Sequence, residues 1–266
     1  MYVLPSLFTC ANVAAGYYAI LQAVQGSAFE PRHFDNAAIA IGLAILFDGL
    51  DGRIARMTRT ESEFGRELDS LADVLTFGIA PAVLAYMWGF RMLPGMENGA
   101  LQQRVLDMGV ISTFLFLIAG ASRLARFNIS KDPKPSNPGR PERKYFVGLP
   151  IPAGAGVIAA VVHFTEGMAV WNWKLSIAWA IFVSITGFLM VSTWRFRSFK
   201  ELDLRERAPF QIIVVIGLLI AAITYFSGEV LLFVGVSYML SGLLFGLSYT
   251  FRRRRAEPVY ESKSPA

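Results

Sequence analysis

Residues 36–90 read NAAIAIGLAILFDGLDGRIARMTRTESEFGRELDSLADVLTFGIAPAVLAYMWGF. Two apolar runs flank a short polar turn. Each run is about 20 residues long, enough for a helix to cross a hydrocarbon core of roughly 30 Å. Comparable runs recur along the chain. They predict eight membrane spans, at 5–25, 36–56, 67–90, 106–126, 148–165, 174–194, 210–227 and 230–251. Pro5, Pro150 and Pro209 fall near span starts, where a missing N–H matters little. Pro81 and Pro152 fall inside spans, where kinks are expected and neighbouring helices can accommodate them. The fold class is therefore all-α, a polytopic helical membrane bundle. A transmembrane β-barrel needs short alternating segments, and these are absent.

Composition leads to the same place. The chain has 266 residues, of which 54% are hydrophobic and 17% charged. An average soluble chain has about 25% charged residues. Mean hydropathy is +0.46. A disordered chain is excluded, and an ordinary soluble domain does not fit. The net charge is +5, which in a soluble protein would raise nucleic acid as a partner. Here the basic residues sit in loops between apolar spans. They read as topology signals and contacts to anionic membrane lipids, so no nucleic acid is expected. Of 25 Lys and Arg, 21 fall in 53–66, 123–144, 195–207 and 252–263. Only Arg32, Arg91, Arg104 and Lys174 fall on the opposite side. The positive-inside rule places the basic side and both termini in the cytoplasm. A bacterial-type inner membrane is the expected location.

The expected organisation is one integral-membrane domain over 1–251 and a basic, disordered tail over 252–266. Met1–Ile20 lacks a basic start of the signal-peptide kind and is assigned to the first span. The segment 127–147 is the longest polar loop, readable as a cover over a surface site or as a plain linker. Cys10, the sole cysteine, excludes an intrachain disulfide and reads as a packing residue. His163 reads as structural, near the outer end of the fifth span, and His33 as part of an outer loop. Gly242 and Gly246 form a G-x-x-x-G packing motif. No internal repeat is visible, which weighs against an inverted-repeat transporter.

The chemistry concentrates in 48–73. Asp48, Asp51, Gly52 and Ala55 follow i, i+3, i+4, i+7, one stripe of a helix. Gly65, Asp69 and Asp73 follow i, i+4, i+8, one stripe of the next helix. A short turn makes these helices antiparallel neighbours, so four carboxylates can converge near a membrane face. Ionisable groups are costly there and suggest function. Unneutralised carboxylates repel one another, and one or two divalent cations would remove the conflict. All-oxygen donors favour Mg²⁺, Mn²⁺ or Ca²⁺, and no Cys/His cluster exists to hold zinc. Small residues beside the carboxylates leave room for a phosphate-bearing ligand, which suggests phosphoryl-type transfer. An acidic ion pathway, or salt bridging to Arg53, Arg56, Arg59 and Arg66, accounts for the same spacing.

The stretch fits the pattern D-x2-D-G-x2-A-R-x8-G-x3-D-x3-D at every fixed position: Asp48, Asp51, Gly52, Ala55, Arg56, Gly65, Asp69 and Asp73. In this it resembles the CDP-alcohol phosphotransferases. Further segments resemble the CDP-diacylglycerol–serine O-phosphatidyltransferases within that family. These are LPSLFTCANVAAG (4–16), with Ser6 where Asn is usual, ELDSLADVLTFGIAPA (67–82), ASRLARFNI (121–129), FVGLPIPAGAG (146–156) and RFRSFK (195–200).

The resemblance implies that Asp48, Asp51, Asp69 and Asp73 hold two divalent cations, Mg²⁺ or Mn²⁺. It implies that Asp73 is also the general base. Gly52, Ala55, Arg56 and Gly65 would line the nucleotide–diphosphate site. Thr9 and Asn12 are candidates to meet the nucleotide, or to bond neighbouring helices. Arg123, Arg126 and Asn128 are candidates for the serine carboxylate or a phosphate, and anchoring at the membrane surface explains the arginines equally well. Lys144, Arg195 and Lys200 carry the same two readings. The implied reaction joins L-serine to the phosphatidyl group of CDP-diacylglycerol, giving phosphatidylserine and CMP. The family also implies a homodimer. Inositol phosphate, glycerol phosphate or choline as acceptor, a cation transporter and a non-catalytic lipid-binding scaffold are the competing readings.

Overall fold

The computed structural model describes residues 3–58, 63–93, 99–129, 145–197 and 209–256. These form eight helices: α1 (Val3–Gln25), α2 (Arg32–Thr58), α3 (Glu63–Arg91), α4 (Ala100–Ile129), α5 (Ile151–Phe164), α6 (Trp173–Val191), α7 (Pro209–Tyr225) and α8 (Ser227–Ala256). Two short strands, β1 (Tyr145–Val147) and β2 (Arg195–Arg197), pair antiparallel. Among the described residues, six helices are long and apolar enough to cross a membrane: α1, α2, α3, α4, α6 and α8. The α5 and α7 helices are shorter, at 14 and 17 residues. The protein is a multi-pass membrane bundle, and its outward apolar side chains face lipid. On α4, Val110, Ile111, Phe114, Leu115 and Ile118 are all exposed.

The helices pack where small residues open sockets for large ones. α1 lies along α2, α4 along α6, and α5 against both α2 and α8. Gly26 receives Phe34, Gly109 receives Phe90, and Gly89 receives Trp179. The Trp179 indole N–H donates to the Ala85 carbonyl at 3.0 Å, and the Ser176 hydroxyl to the Gly89 carbonyl at 2.7 Å. An intramembrane hydroxyl or indole must find such a partner, because lipid offers none.

The proline expectations are met unevenly. The distortion expected at Pro81 takes the form of a π-helical segment, Val74–Ile79, with a second at Met87–Arg91. Pro81 gives no N–H to the ladder, and the preceding turn widens before it. Pro152 is not interior. It occupies the first turn of α5 behind Pro150, where its missing N–H costs nothing. His33 is likewise not in a loop but in the first turn of α2. Cys10 is exposed rather than packed inward.

The loop expected over 127–147 is structured at both ends. Phe127–Ile129 complete α4, and Tyr145–Val147 form β1; residues 130–144 lie outside the described residues. β1 pairs with β2, with Phe146 opposite Phe196. Gly148, at φ +73°, donates to the Trp194 carbonyl, and Leu149 N–H to the Leu189 carbonyl. This strap crosses the end of α6. α8 runs to Ala256, into the stretch expected to be disordered, while residues 257–266 lie outside the described residues. The G-x-x-x-G on α8 is occupied from within the chain, since Gly242 seats Phe196 and Gly246 seats Trp194.

Candidate active site

Asp48 comes from the second half of α2, and Asp69 and Asp73 from the first half of α3. One carboxylate oxygen of each lies within 4.8 Å of the other two. This is the convergence that the two helical stripes predict. Asp73 is 9% exposed, and one buried oxygen of Asp69 has no hydrogen-bond partner among the described residues. Three carboxylates this close repel unless a cation neutralises them. The all-oxygen set, with an orphaned buried oxygen, fits a hard divalent cation. Asp51 lies three residues beyond Asp48 on α2. Its side chain, like those of Ala55 and Arg56, falls outside the described residues. A Cβ added at Gly52 would meet nothing within 4 Å, so the backbone there is open to a ligand. Gly65 sits in the first turn of α3, partly buried.

The π-helical segment starts directly after Asp73. It brings Thr76 against α1, where the Thr76 hydroxyl donates to the Asn12 main-chain carbonyl at 3.3 Å. A Cβ at Gly16 would lie 2.5 Å from the Thr76 hydroxyl oxygen and 2.9 Å from its Cα. That close approach holds α1 against the helix carrying the acids. It places Asn12 one turn away, fully buried, with neither amide atom of its side chain hydrogen-bonded among the described residues. Thr9, also buried, lies on the same face. A fully buried amide without a partner is expensive, which keeps Asn12 a candidate to meet a ligand.

The three candidates on α4 separate. Arg123 is 9% exposed, lies within electrostatic reach of Asp73, and has no hydrogen-bond partner for its Nε–H among the described residues. Arg126 instead donates to the Val191 carbonyl at 2.7 Å, tying α4 to the end of α6. Asn128 is exposed and donates to the Ser70 hydroxyl at 3.0 Å, tying α4 to α3. Arg195, half-buried, stacks over the rings of Tyr145 and Phe245; Lys144 and Lys200 lie outside the described residues. A groove of about 640 Å³ between α4 and α6 is lined by Met108, Ile111, Ile181, Ile185 and Phe188 with Arg104 and Asp107. Its apolar lining suits lipid and holds none of the site residues.

A family model described as CDP-alcohol phosphatidyltransferase matches residues 2–186. The chain belongs to the CDP-alcohol phosphatidyltransferase family. Curated relatives are similarly named. A CDP-diacylglycerol–serine O-phosphatidyltransferase of Helicobacter pylori is 34% identical over 243 residues, covering 88% of this chain and 90% of its own. One of Mycobacterium leprae is 36% identical over 195 residues, covering 71% and 56%. One of Methanocaldococcus jannaschii is 39% identical over 147 residues, covering 55% and 54%. The family activity is transfer of a phosphatidyl group from CDP-diacylglycerol. The matched region carries α1 to α5 and most of α6, so all the carboxylates and Arg123 lie inside it.

Proposed function

We propose that this CDP-alcohol phosphatidyltransferase uses L-serine as acceptor, making phosphatidylserine and CMP. The observation that carries the transfer chemistry is the convergence of Asp48, Asp69 and Asp73 around an unpartnered, buried oxygen. The choice of serine rests on the similarity to relatives bearing that name, which extends over 88% of the chain for the Helicobacter pylori protein.

Asp48, Asp51, Asp69 and Asp73 hold the divalent cations, Mg²⁺ or Mn²⁺. When bound, such cations neutralise the diphosphate and make CMP a better leaving group. Asp73 accepts the proton of the serine hydroxyl. The serine oxygen forms its bond to the phosphatidyl phosphorus in line with the departing CMP oxygen, which leaves with the electron pair. Thr9, Asn12, Gly52, Ala55, Arg56 and Gly65 line the nucleotide and diphosphate. Arg123 supplies the charge-assisted contact to the acceptor carboxylate or to a phosphate. Arg126 and Asn128 support it by fixing the end of α4.

With α5 and α7 counted as crossings, the chain makes eight passes, and the site faces the cytoplasm on the side of the basic loops. A single membrane domain over 1–251, a tail from 252, a homodimer and a bacterial-type inner membrane complete the reading.

CMP release by the purified protein in detergent tests it. CDP-diacylglycerol is supplied with Mn²⁺ or Mg²⁺, then serine, inositol phosphate, glycerol phosphate or choline. Release that needs both serine and metal, with phosphatidylserine formed, is the expected result. Release only with another alcohol overturns the serine assignment and keeps the family.

A further inference from the structure

α4 and α6 run side by side, and the groove of about 640 Å³ lies between them. Its floor is small, formed where Ser112 and Ala180 are buried. Its walls are large and bare: Ile111, Ile181 and Phe188 are each more than half exposed. No lining residue lies beyond Ser112 on α4 or beyond Phe188 on α6. There the two helices close on each other, since a Cβ at Gly187 would come within 3.1 Å of the Phe116 Cα.

The other end of the groove is charged. Arg104 and Asp107 line it, and both are exposed. Neither is ion-paired among the described residues. Asp107 Oδ1 accepts from the Gln103 side-chain amide at 2.8 Å, which leaves the second carboxylate oxygen for another donor. Arg104 lies about 18 Å from Phe116 along α4, by the rise of an α-helix. That is close to the hydrocarbon depth of one leaflet, half of roughly 30 Å. The charged end is also remote from the carboxylate cluster. The opposite end of α4 is the one tied to α3, through Asn128 and Ser70, and Arg104 lies about 36 Å from Asn128 along the helix. The groove therefore belongs to the leaflet away from Asp48, Asp69 and Asp73, and its ligand is not the phosphatidyl donor.

We propose that this groove binds a phospholipid whose headgroup carries both a phosphate and an ammonium, of the phosphatidylethanolamine class. One acyl chain lies on the small floor between the isoleucine walls. The phosphate meets the Arg104 guanidinium in a charge-assisted contact, and the ammonium meets Asp107. Residues three apart on a helix are surface neighbours, with Cβ atoms roughly 5–6 Å apart, so one small headgroup can reach both. An anionic headgroup would satisfy Arg104 but face repulsion from Asp107. A partner helix would run the length of α4 and α6, whereas the groove ends about one leaflet deep. Nothing in this depends on the acceptor alcohol.

Native mass spectrometry of the full-length protein in detergent tests it. Phosphatidylethanolamine and phosphatidylglycerol with identical chains are titrated into delipidated protein, beside thermal unfolding of each variant. Wild type should retain phosphatidylethanolamine about fivefold better, as expected for one ion pair. Asp107→Asn should erase that preference. Arg104→Gln should weaken both lipids about fivefold, the effect of one basic residue at a membrane surface. Ile185→Trp, which fills the groove, should weaken both lipids as well. Should Ile185→Trp not fold, Ser184→Leu narrows the same groove and must do the same. Equal retention of the two lipids by wild type, retention of neither, or a preference that survives Asp107→Asn would overturn the proposal. So would unchanged retention in Arg104→Gln or in the filled groove. If Ile185→Trp instead splits a dimer into monomers while lipid retention stays unchanged, the groove is an interface between copies of this chain and the lipid site is wrong.

Discussion

The bundle has two polar clusters, one toward each end of α2, and they are built in opposite ways. At the start of α2, Asp35 accepts from His163 Nδ1 of α5 at 2.5 Å, and His163 Nε2 pairs with the Ser227 hydroxyl of α8 at 2.8 Å. Beside it, His33 pairs with Gln22 of α1 at 2.7 Å. Polar atoms there meet one another, and four helices are tied. About 20 Å further along α2, by the rise of an α-helix, Asp48 joins Asp69 and Asp73. At that end an Asp69 oxygen, the Asn12 amide and Arg123 Nε stay buried without hydrogen-bond partners among the described residues. Satisfied buried polar groups stabilise a fold, and unsatisfied ones cost stability. The first cluster ties helices together, and the second is the one proposed to take up a cation and substrate.

The largest effect tests the second cluster directly. Asp73→Asn keeps the shape but removes a cation ligand and the base. CMP release should fall by about 10³-fold or more, within the range set by loss of a general base together with metal stabilisation. The variant should still purify as a folded protein; near-normal turnover would remove the base assignment.

A paired substitution separates the clusters more sharply. Asn12→Ala deletes two unpartnered buried atoms and leaves the main-chain carbonyl that Thr76 uses. Thermal unfolding should be unchanged or slightly higher, while the KM for CDP-diacylglycerol rises about tenfold, the worth of one or two hydrogen bonds. His163→Ala should do the reverse. It breaks two contacts of the first cluster and costs about 2 kcal/mol of stability, with CMP release per folded molecule unchanged. If His163→Ala abolished turnover in folded protein, the two ends would not be separate.

Gly16→Ala probes how the site end is held together. The new Cβ would press on Thr76, main chain included. Overpacking of this kind costs about 1–3 kcal/mol. Because the pressure falls on the π-helical turn after Asp73, turnover should drop along with the unfolding temperature. A drop in stability with full activity would show that the turn does not set the carboxylates. Smallest of all is Asn128→Ala. It removes an exposed hydrogen bond to Ser70 and should shift stability by under about 1 kcal/mol, with little change in rate.

The sequence made the helices legible because hydrophobic run length alone decides whether a segment can cross a membrane. The meeting of Asp48, Asp69 and Asp73 was legible for a related reason: a short turn forces adjacent helices antiparallel, and spacing then fixes which faces meet. What escaped was non-local or lacked a periodic signal. β1 and β2 are three residues each and pair across the whole of α5 and α6. The partners of His163 lie 128 and 64 residues away in sequence. Arg123 and Arg126 carry the same charge on one helix, and only the packing around them separates the buried Arg123 from Arg126, which is tied to the Val191 carbonyl.

Mn²⁺ binding to the detergent-purified protein, followed by calorimetry or electron paramagnetic resonance, tests the contrast between the two ends most directly. Wild type, Asp69→Asn and Asp35→Asn are compared, one acid from each cluster. Asp69→Asn should weaken binding by at least about tenfold, as loss of a direct ligand should exceed typical losses from supporting groups. Asp35→Asn should bind as wild type does. Wild-type binding by Asp69→Asn, or an equal loss in Asp35→Asn, would contradict the assignment of the Asp48–Asp69–Asp73 cluster as the metal-dependent site.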